Sequence, residues 1–362
     1  MATPKETIWD IEPHTIAKHK ILENYLKAWF PIISRFNNSI NYIDGFAGPG
    51  IYSKGELGSP IIALNVVNEH TAELKGNLNF LFIEEDKERS ENLESEITKL
   101  KLKENLKVTV VNNKFYETID DILTNFEKEG KILAPTFIFI DPFGFSGIPA
   151  SVIAGLLKNP KVEVFINFSV DSINRFIGTD EVSIHIAELF GSEDVIELIK
   201  SSGKNRIRDL RDLYQLMLAE HAKFVRYFEM RNNNNRVIYY LFFCGNNSLG
   251  HLRMKDAMWK VSSEGDFSFS DSTDPDQIIL FTKDDFGNEV FNLLKEKFNS
   301  RKVDVKEIKQ YVEDYTPFLD KHSTQALRFA EQNNLIEVDE LKKDGSKRRK
   351  GSFPEGTLIT FI

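Results

Sequence analysis

The chain of 362 residues contains one cysteine, Cys244, and no run approaching the ~20 apolar residues that cross a bilayer. A single cysteine forms no internal disulfide and cannot supply the thiolates of a zinc site or an iron–sulfur cluster. The histidines lack the HxxxH spacing with a third acid that is typical of a metal site, so we expect no bound metal. We therefore expect a cytoplasmic protein that does not contact membranes.

Two common catalytic signatures are also absent from the sequence. There is no GxSxG elbow and no GxxxxGK[ST] loop, which argues against a hydrolase and a P-loop nucleotidase. Basic residues are in deficit as well, because 46 Lys and Arg face 55 Asp and Glu, a net charge of −9. Residues 283–362 carry 15 of each sign, so the whole deficit lies in residues 1–282. Any contact with nucleic acid, whose phosphates require cations, should therefore be local.

The sequence does contain a regular alternation of apolar strands and helical stretches. Five runs rich in Ile, Val and Phe alternate with helices: INYIDGF, NFLFIEE, LKVTVVN, TFIFIDPF and VEVFINF. Such strands are typical of a parallel sheet covered on both faces, so we predict a Rossmann-like, doubly wound α/β fold. An amphipathic helix over residues 15–30, ended by Pro31, precedes the first strand. FVRYFEM and RVIYYLFFCG, on either side of RNNNNR, predict an antiparallel hairpin at the sheet edge.

These patterns predict two domains joined by a linker. Residues 1–265 form the Rossmann-like domain, with a helical insertion near residues 175–222. Residues 266–285 belong to a Ser-, Asp- and Gly-rich stretch with little to bury, and we interpret them as a linker. Residues 286–362 contain three helical segments and a terminal β-hairpin, which is the pattern of a winged helix-turn-helix domain.

The tip of the predicted wing is strongly basic. Residues 342–350 contain six Lys and Arg against one Asp, a net charge of +5 in an otherwise acidic chain. We predict that this tip contacts the phosphates of RNA or DNA. A solvated charged loop, or a contact with another protein, would explain the same composition. The residues assigned to nucleic-acid binding are Lys347, Arg348, Arg349 and Lys350.

The turns that follow the first two strands are candidate ligand sites, because doubly wound sheets bind ligands beyond the carboxyl ends of their strands. In DGFAGPG, residues 44–50, the glycines let the backbone approach a ligand, and Asp44 can bond an amine or hydroxyl. An ordinary Gly-Pro turn is the alternative. Glu84 follows the second strand and is placed to hold the ribose hydroxyls of a nucleoside cofactor. Capping of the next helix by Asp86 is an alternative that is compatible with this role.

The turn after the fourth strand offers a second kind of contact. Asp141 and the carbonyl of Pro142 are two acceptors for an exocyclic amine, and Phe143 provides a ring that can stack on a planar nucleobase. A sharp turn with Phe143 or Phe145 in the core is the alternative. Three asparagines follow neighbouring strands and are either turn residues or ligand contacts: Asn112, Asn113 and Asn167.

Together, Asp-x-Phe-x-Gly-x-Gly, the acid after the second strand and the Asp-Pro-aromatic motif resemble the class I S-adenosylmethionine-dependent methyltransferases. More narrowly, PHTIAKH, YIDGFAGPG, GSP, FIEED, FIDPFGF and LGHLRMKDAMWK look like the three-Cys-motif partner (TcmP) family, over nearly the whole chain. The tail KRRKGSFPEGT resembles the winged-helix domain of that family. In the wider amino-methyltransferase group the strand-four motif is Asp or Asn, Pro, Pro and an aromatic. Here Phe143 replaces the second proline and Gly144 the aromatic residue.

The resemblance implies S-adenosylmethionine as cofactor and a nucleic acid or nucleobase-like group as methyl acceptor. It also implies a three-Cys-motif protein of radical type as partner. The alternative is a nucleic-acid-binding regulatory or defence-associated protein whose methyltransferase-like domain senses a nucleotide without turnover. Lys18 and His19 either close over the cofactor or lie on an exposed helix face. The implied cofactor residues are Asp44, Phe46, Gly48, Gly50, Glu84 and Asn113, and the catalytic ones are Asp141, Pro142 and Phe143.

Overall fold

The computed structural model describes residues 6–71, 73–176, 180–262, 267–272, 286–341 and 345–362. The chain forms two compact units. The first comprises Met1–Val261 and Ser268–Gln277, and the second comprises Ser262–Phe267 and Ile278–Ile362.

The first unit is built on one sheet. Its strands in the described residues are β1 Ser39–Asp44, β2 Asn77–Ile83, β3 Leu106–Val111, β4 Thr136–Ile140, β5 Val162–Phe168, β6 Phe224–Arg231, β7 Val237–Gly245 and β8 Ser268–Ser270. Their order is β3-β2-β1-β4-β5-β7-β6-β8. Strands β1 to β5 are parallel, whereas β7 is antiparallel to both β5 and β6. The Rossmann-like, doubly wound fold predicted from the sequence is confirmed.

Helices connect the strands and cover the sheet. Strands β4 and β5 are buried along their whole length, as the continuous apolar runs predict. The predicted helical insertion between β5 and β6 consists of four α-helices in the described residues, α6 to α9. The helices of this unit are α1 Pro13–Ser34, α2 Ser59–Asn68, α3 Lys87–Thr98, α4 Phe115–Lys128, α5 Ala150–Leu157, α6 Val170–Phe176, α7 Asp180–Phe190, α8 Asp194–Ser201, α9 Arg206–Ala219 and α10 Ser248–Trp259.

Three local features differ from the sequence prediction. Helix α1 does not end at Pro31 but continues to Ser34. The carbonyl that Pro31 leaves without an amide partner is that of Lys27, which is exposed and accessible to water. The predicted linker 266–285 contains strand β8, which pairs with β6, so the hairpin β6–β7 does not form the edge of the sheet. The rest of that linker, residues 273–285, lies outside the described residues.

One buried carboxyl group contacts helix α1 near the amino end of β5, away from the carboxyl ends of the strands. Glu163 on β5 is 5% exposed, and its Oε2 accepts a hydrogen bond of 2.7 Å from the Tyr25 hydroxyl. Burial raises the pKa of Glu163 to about 7. The Glu163 carboxyl group therefore loses its proton near neutral pH although it has almost no contact with solvent.

The second unit contains helices α11 Gly287–Phe298, α12 Val305–Tyr315 and α13 Asp320–Gln332, and strands β9 Lys302–Asp304, β10 Ile336–Val338 and β11 Leu358–Phe361. Its described strands form an antiparallel sheet in the order β10-β11-β9. Phe291, Phe298 and Phe361 form a stacked aromatic core between α11 and this sheet. The assignment of residues 286–362 to the winged-helix class stays a prediction.

Within the described parts of the chain, none of the helices combines the length and the apolar composition needed to cross a bilayer. Over the same residues, we find no group of three or more His, Cys, Asp or Glu side chains placed to hold a metal ion.

Candidate active site

A cavity of about 350 Å³ lies beyond the carboxyl ends of β1 and β4. These two strands are neighbours in the sheet, and the strand order reverses between them, since β2 and β3 lie on one side and β5 on the other. Such a switch point is where doubly wound sheets form a ligand crevice. The lining residues used below come from several parts of the chain: Trp9, Lys18, Gly48, Tyr52, Asp141 and Asn167.

Asp44 is the last residue of β1 and does not itself line this cavity, although Phe46, two residues further along the chain, does. Its side chain is fully buried; Oδ1 accepts a long hydrogen bond of 3.4 Å from the amide of Phe46, and Oδ2 has no partner within the described residues. Burial raises the pKa of Asp44 to about 7, and the nearby carboxylate of Asp141 also raises it. The Ser59 side chain is close enough to lower this pKa by hydrogen bonding, so Asp44 has a polar neighbour in addition to the Phe46 amide.

The glycines of the first turn allow the backbone to bend tightly around this point. Gly48 and Gly50 have φ values of +64° and +85°, the left-handed region that favours glycine. A Cβ atom on Gly50 would lie 2.9 Å from Cδ1 of Leu93 on α3. Gly50 therefore packs closely against α3, and a larger residue at this position would collide with Leu93. Whether the turn binds a ligand or is an ordinary Gly-Pro turn stays a prediction.

Glu84 joins the first turn to the end of β2. Its Oε2 accepts from the amide of Gly48 at 2.8 Å, and its Oε1 accepts from the amide of Asp86 at 2.9 Å. Burial is the largest influence on this carboxyl group and raises its pKa. Helix capping is performed by Asp86, whose Oδ1 accepts from the amide of Arg89 at 3.0 Å. The Glu84 carboxyl group is thus held in one orientation and keeps lone pairs for a ligand.

Glu84 lines a second cavity, of about 1110 Å³. Phe46, Pro142 and Phe143 line both cavities, so the two share a wall. Asp141 lines the first cavity and Glu84 lines the second, whereas Asp44 lines neither and lies two residues before Phe46 in the chain.

Asn113 is not brought into this site. Its Oδ1 accepts from the amide of Lys114 at 2.8 Å, and it lines neither cavity. The following residues, Lys114 and Phe115, do line the second cavity. The prediction that Asn113 meets an adenine ring therefore finds no support in the geometry, whereas Phe115, whose ring lies 5.5 Å from that of Phe46, is a residue that the sequence reasoning missed.

Asp141 directly follows β4, and both of its oxygens accept hydrogen bonds. Lys18 on α1 donates its ammonium to Oδ2, and Asn167 on β5 donates its amide nitrogen to Oδ1 at 2.6 Å. Lys18 and His19 are 3% and 5% exposed, so the interpretation of both as an exposed helix face is wrong. Burial is the main cause that lowers the pKa of His19 to about 3, and this imidazole is neutral in the physiological range.

The Pro142–Phe143 pair lies at the junction of the two cavities. The Pro142 carbonyl accepts from the amide of Gly144 at 3.0 Å, so one of its lone pairs is already used. The ring of Phe143 lies 5.4 Å from that of Trp9, and the Arg89 guanidinium lies over both rings. Phe145 packs against the core and lines neither cavity. Of the two phenylalanines, Phe143 is the one placed to meet a planar ligand.

A segment before α1 closes one side of the first cavity, and the sequence reasoning did not identify it. The Trp9 carbonyl accepts from the amide of Ser53 at 3.0 Å, and the Thr7 hydroxyl donates to Glu88 on α3 at 2.9 Å. The sequence feature that could have indicated this segment is Trp9, a large aromatic residue shortly before the predicted helix.

The basic residues of the second unit are not equivalent. Arg348 forms an ion pair with Glu331 on α13, and its side chain is 7% exposed. Its guanidinium also donates to the Ser352 carbonyl at 3.1 Å, so Arg348 is already engaged within the second unit and its role in phosphate binding stays a prediction. The other three predicted cations, Lys347, Arg349 and Lys350, are exposed, and Arg349 forms no side-chain ion pair among the described residues.

No family model and no curated protein matches this chain. Solved structures with a similar fold include a protein from Legionella pneumophila, with 14% identity over 65% of this chain and 85% of that chain and a TM-score of 0.40. Trm1 from Pyrococcus horikoshii, solved with S-adenosyl-L-methionine, has 10% identity over 69% and 60% of the two chains and a TM-score of 0.37. An O-methyltransferase from Bacillus cereus, solved with SAH, has 15% identity over 66% and 83% and a TM-score of 0.36. The strand order with its antiparallel β7 is itself that of the class I methyltransferase fold.

Proposed function

We propose that this protein is an S-adenosylmethionine-dependent methyltransferase that acts on a nucleic acid or a nucleobase-like acceptor. The observation that carries the proposal is the pair of adjoining cavities at the β1–β4 switch point, the first lined by Asp141 and the second by Glu84. Two adjoining cavities of this kind suit a ligand that has an amino-acid end and a nucleoside end. The resemblance of DGFAGPG and FIDPFGF to the class I methyltransferases supports the same conclusion.

The residues present fit the proposed cofactor. Asp44, a buried acid at the end of β1, would pair with the ammonium of the methionine end, and Gly48 and Gly50 line the first cavity. Glu84, fixed by two backbone amides, would hold the ribose hydroxyls, while Phe115 lines the cavity proposed for the base. When bound, the cofactor supplies an electrophilic methyl group on a sulfonium. The contribution of the protein is then mainly to position the acceptor, since such a displacement requires little acid-base catalysis.

The acceptor side of the site favours a flat, polar group. Asp141 offers a carboxylate at the cavity wall, and Phe143 offers a ring at the junction of the cavities. A nucleobase combines a stacking face with hydrogen-bond donors at its edge, which is the chemistry that these two side chains recognise. The cations Lys347, Arg349 and Lys350 would add phosphate contacts in the second unit.

Calorimetry with S-adenosylhomocysteine and transfer of tritium from labelled S-adenosylmethionine to tRNA, rRNA and DNA test the proposal. We expect wild-type protein to bind S-adenosylhomocysteine and to label at least one nucleic acid. We expect Asp141→Ala to bind S-adenosylhomocysteine but not to transfer the labelled methyl group. The absence of binding heat with wild-type protein would refute the cofactor assignment. Binding without any transfer would favour the alternative, a regulatory protein whose methyltransferase-like domain senses a nucleotide.

The contribution of the basic tip is tested by salt dependence. Replacing Lys347, Arg349 and Lys350 by Ala should weaken binding to a fluorescent single-stranded RNA and reduce the slope of log K against log salt by about 0.7 for each phosphate that the variant no longer neutralises. Replacing the exposed Lys27 by Ala in the first unit is the control. An unchanged slope in the triple variant would indicate a solvated charged loop.

A further inference from the structure

Lys18, Asp141 and Asn167 form a charged cluster that the proposed cofactor does not require. The three residues come from α1, from the end of β4 and from β5, yet the two donors bind different oxygens of one carboxylate. Lys18 is 3% exposed and Asn167 is 1% exposed, and both line the first cavity together with Asp141. The cluster is therefore a built feature of the cavity wall and not a surface ion pair.

The burial of Lys18 indicates that packing alone does not explain the ion pair between Lys18 and Asp141. An apolar residue of similar length would pack in this position without the loss of hydration that a buried ammonium suffers. The Lys18 ammonium lies 5.5 Å from the centroid of the Tyr239 ring. Among the described residues, Asp141 is the carboxylate with which it forms an ion pair. The Lys18 ammonium holds the Asp141 carboxylate from one side and the Asn167 amide holds it from the other, so its orientation is fixed.

The orientation of Asn167 determines what the wall offers to an acceptor. An ionised carboxylate only accepts hydrogen bonds, so the amide nitrogen of Asn167 must face Asp141 and its Oδ1 must face away. That oxygen is buried and has no hydrogen-bond partner among the described residues. The Pro142 carbonyl, which the sequence suggested as the second acceptor, already receives the amide of Gly144. Asn167 Oδ1 is therefore the acceptor that most needs a donor.

We propose that Lys18 is a positioning residue that holds Asp141 as an oriented carboxylate, and that Asp141 and Asn167 Oδ1 together select an acceptor nitrogen bearing two hydrogens. This inference rests on the proposed function and narrows it to exocyclic amines of nucleobases. In the transfer, the nitrogen lone pair forms the N–CH₃ bond while the S–CH₃ bond breaks and its electron pair stays on sulfur. The proton that the nitrogen then loses passes to water, because Asp141 remains paired with Lys18.

The test uses the full chain with tritium-labelled S-adenosylmethionine and tRNA, rRNA or denatured DNA as acceptors. Lys18→Met removes the charge and keeps the length, Lys18→Arg restores the charge, and Lys27→Met changes an exposed lysine of the same helix that pairs only with Glu23 among the described residues. We expect Lys18→Met to lower kcat about 10²-fold with unchanged affinity for S-adenosylhomocysteine. We also expect Lys18→Arg to recover most of the lost kcat, because it restores the positive charge beside Asp141.

Several outcomes would overturn the inference. If Lys18→Arg is as slow as Lys18→Met although both variants bind S-adenosylhomocysteine, the charge of Lys18 does not position Asp141 and Lys18 has only a structural role. If it abolishes binding of S-adenosylhomocysteine while circular dichroism shows a folded protein, Lys18 is a cofactor ligand and not a positioning residue.

Mass spectrometry of the nucleosides released from labelled wild-type product gives an independent readout, and we expect the methyl group on an exocyclic amine. A methyl group on a ribose oxygen or a ring carbon would refute the nitrogen selection while leaving the methyltransferase function intact. A wild-type protein that transfers no label would instead refute the proposed function, and this inference with it.

Discussion

Binding of S-adenosylhomocysteine should weaken as the pH falls below neutrality, because the proposed partner of its ammonium is the buried carboxyl group of Asp44. The pKa of this group is raised to about 7 in the free protein, so at acidic pH the carboxyl group is protonated and neutral. The ligand pairs with the ionised form, and the protonated form must first lose its proton. For a single group with pKa about 7, the dissociation constant should rise about 25-fold between about pH 7.5 and about pH 5.5. This change corresponds to about 1.9 kcal/mol of binding free energy.

Isothermal titration calorimetry across this pH range measures the effect directly. Asp44→Asn should bind weakly at every pH and show a flat profile, since its amide does not titrate. Glu163→Gln is a matched control, because Glu163 is also buried with a pKa of about 7 but lies away from both cavities. This variant should keep the full pH dependence. A wild-type dissociation constant that is equal at both ends of the pH range would refute the role of Asp44. A flat profile in Glu163→Gln would show that Glu163, and not Asp44, is the group whose titration weakens binding.

Three further predictions concern stability and are measured by urea unfolding of the full chain. The raised pKa of Glu163 means that its folded form keeps a proton up to about pH 7 and that stability is lost as the pH rises from about 4.5 through this value. The free energy of unfolding of Glu163→Gln relative to wild type should therefore rise by about 2 kcal/mol between about pH 5.5 and about pH 8. An equal difference between variant and wild type at the two pH values would contradict this prediction. Gly50→Ala should lower the free energy of unfolding by about 1 kcal/mol or more beyond the loss in Gly55→Ala. Both glycines have positive φ, but only Gly50 faces a close neighbour, so equal losses would show that backbone strain alone causes the destabilisation. Arg348→Gln should cost about 2 to 3 kcal/mol since it leaves Glu331 without its partner, whereas Arg349→Gln should change little; similar small effects would show that the ion pair is dispensable.

The sequence was sufficient for the fold and for the acids at the strand ends. Apolar periodicity identifies β1 to β5, and the carboxyl ends of parallel strands meet at one edge, so Asp44 and Asp141 had to lie near each other. Glu84 enters the site for the same reason. These predictions depend on local pattern and on topology alone, which a single sequence contains.

Contacts between distant segments could not be predicted in this way. Lys18 meets Asp141 across 123 positions of sequence, and its spacing on α1 does not distinguish a buried cation from a solvated one. Arg348 lies in a run of four basic residues, and only the position of Glu331 on α13 separates it from its neighbours. Strand β8 is three residues long, too short for a periodicity, and it forms because β6 offers an unpaired edge.

The segment before α1 has one more consequence, for spectroscopy. Trp9 lines the first cavity, in contact with Phe143 and beneath the Arg89 guanidinium, whereas the other two tryptophans, Trp29 and Trp259, line neither cavity. Indole emission depends on the polarity and the cations around the ring, so a ligand that enters beside Trp9 changes one of three emitters. The protein therefore carries an intrinsic fluorophore at its candidate active site, and a Trp9→Phe variant supplies the blank against which that signal is read.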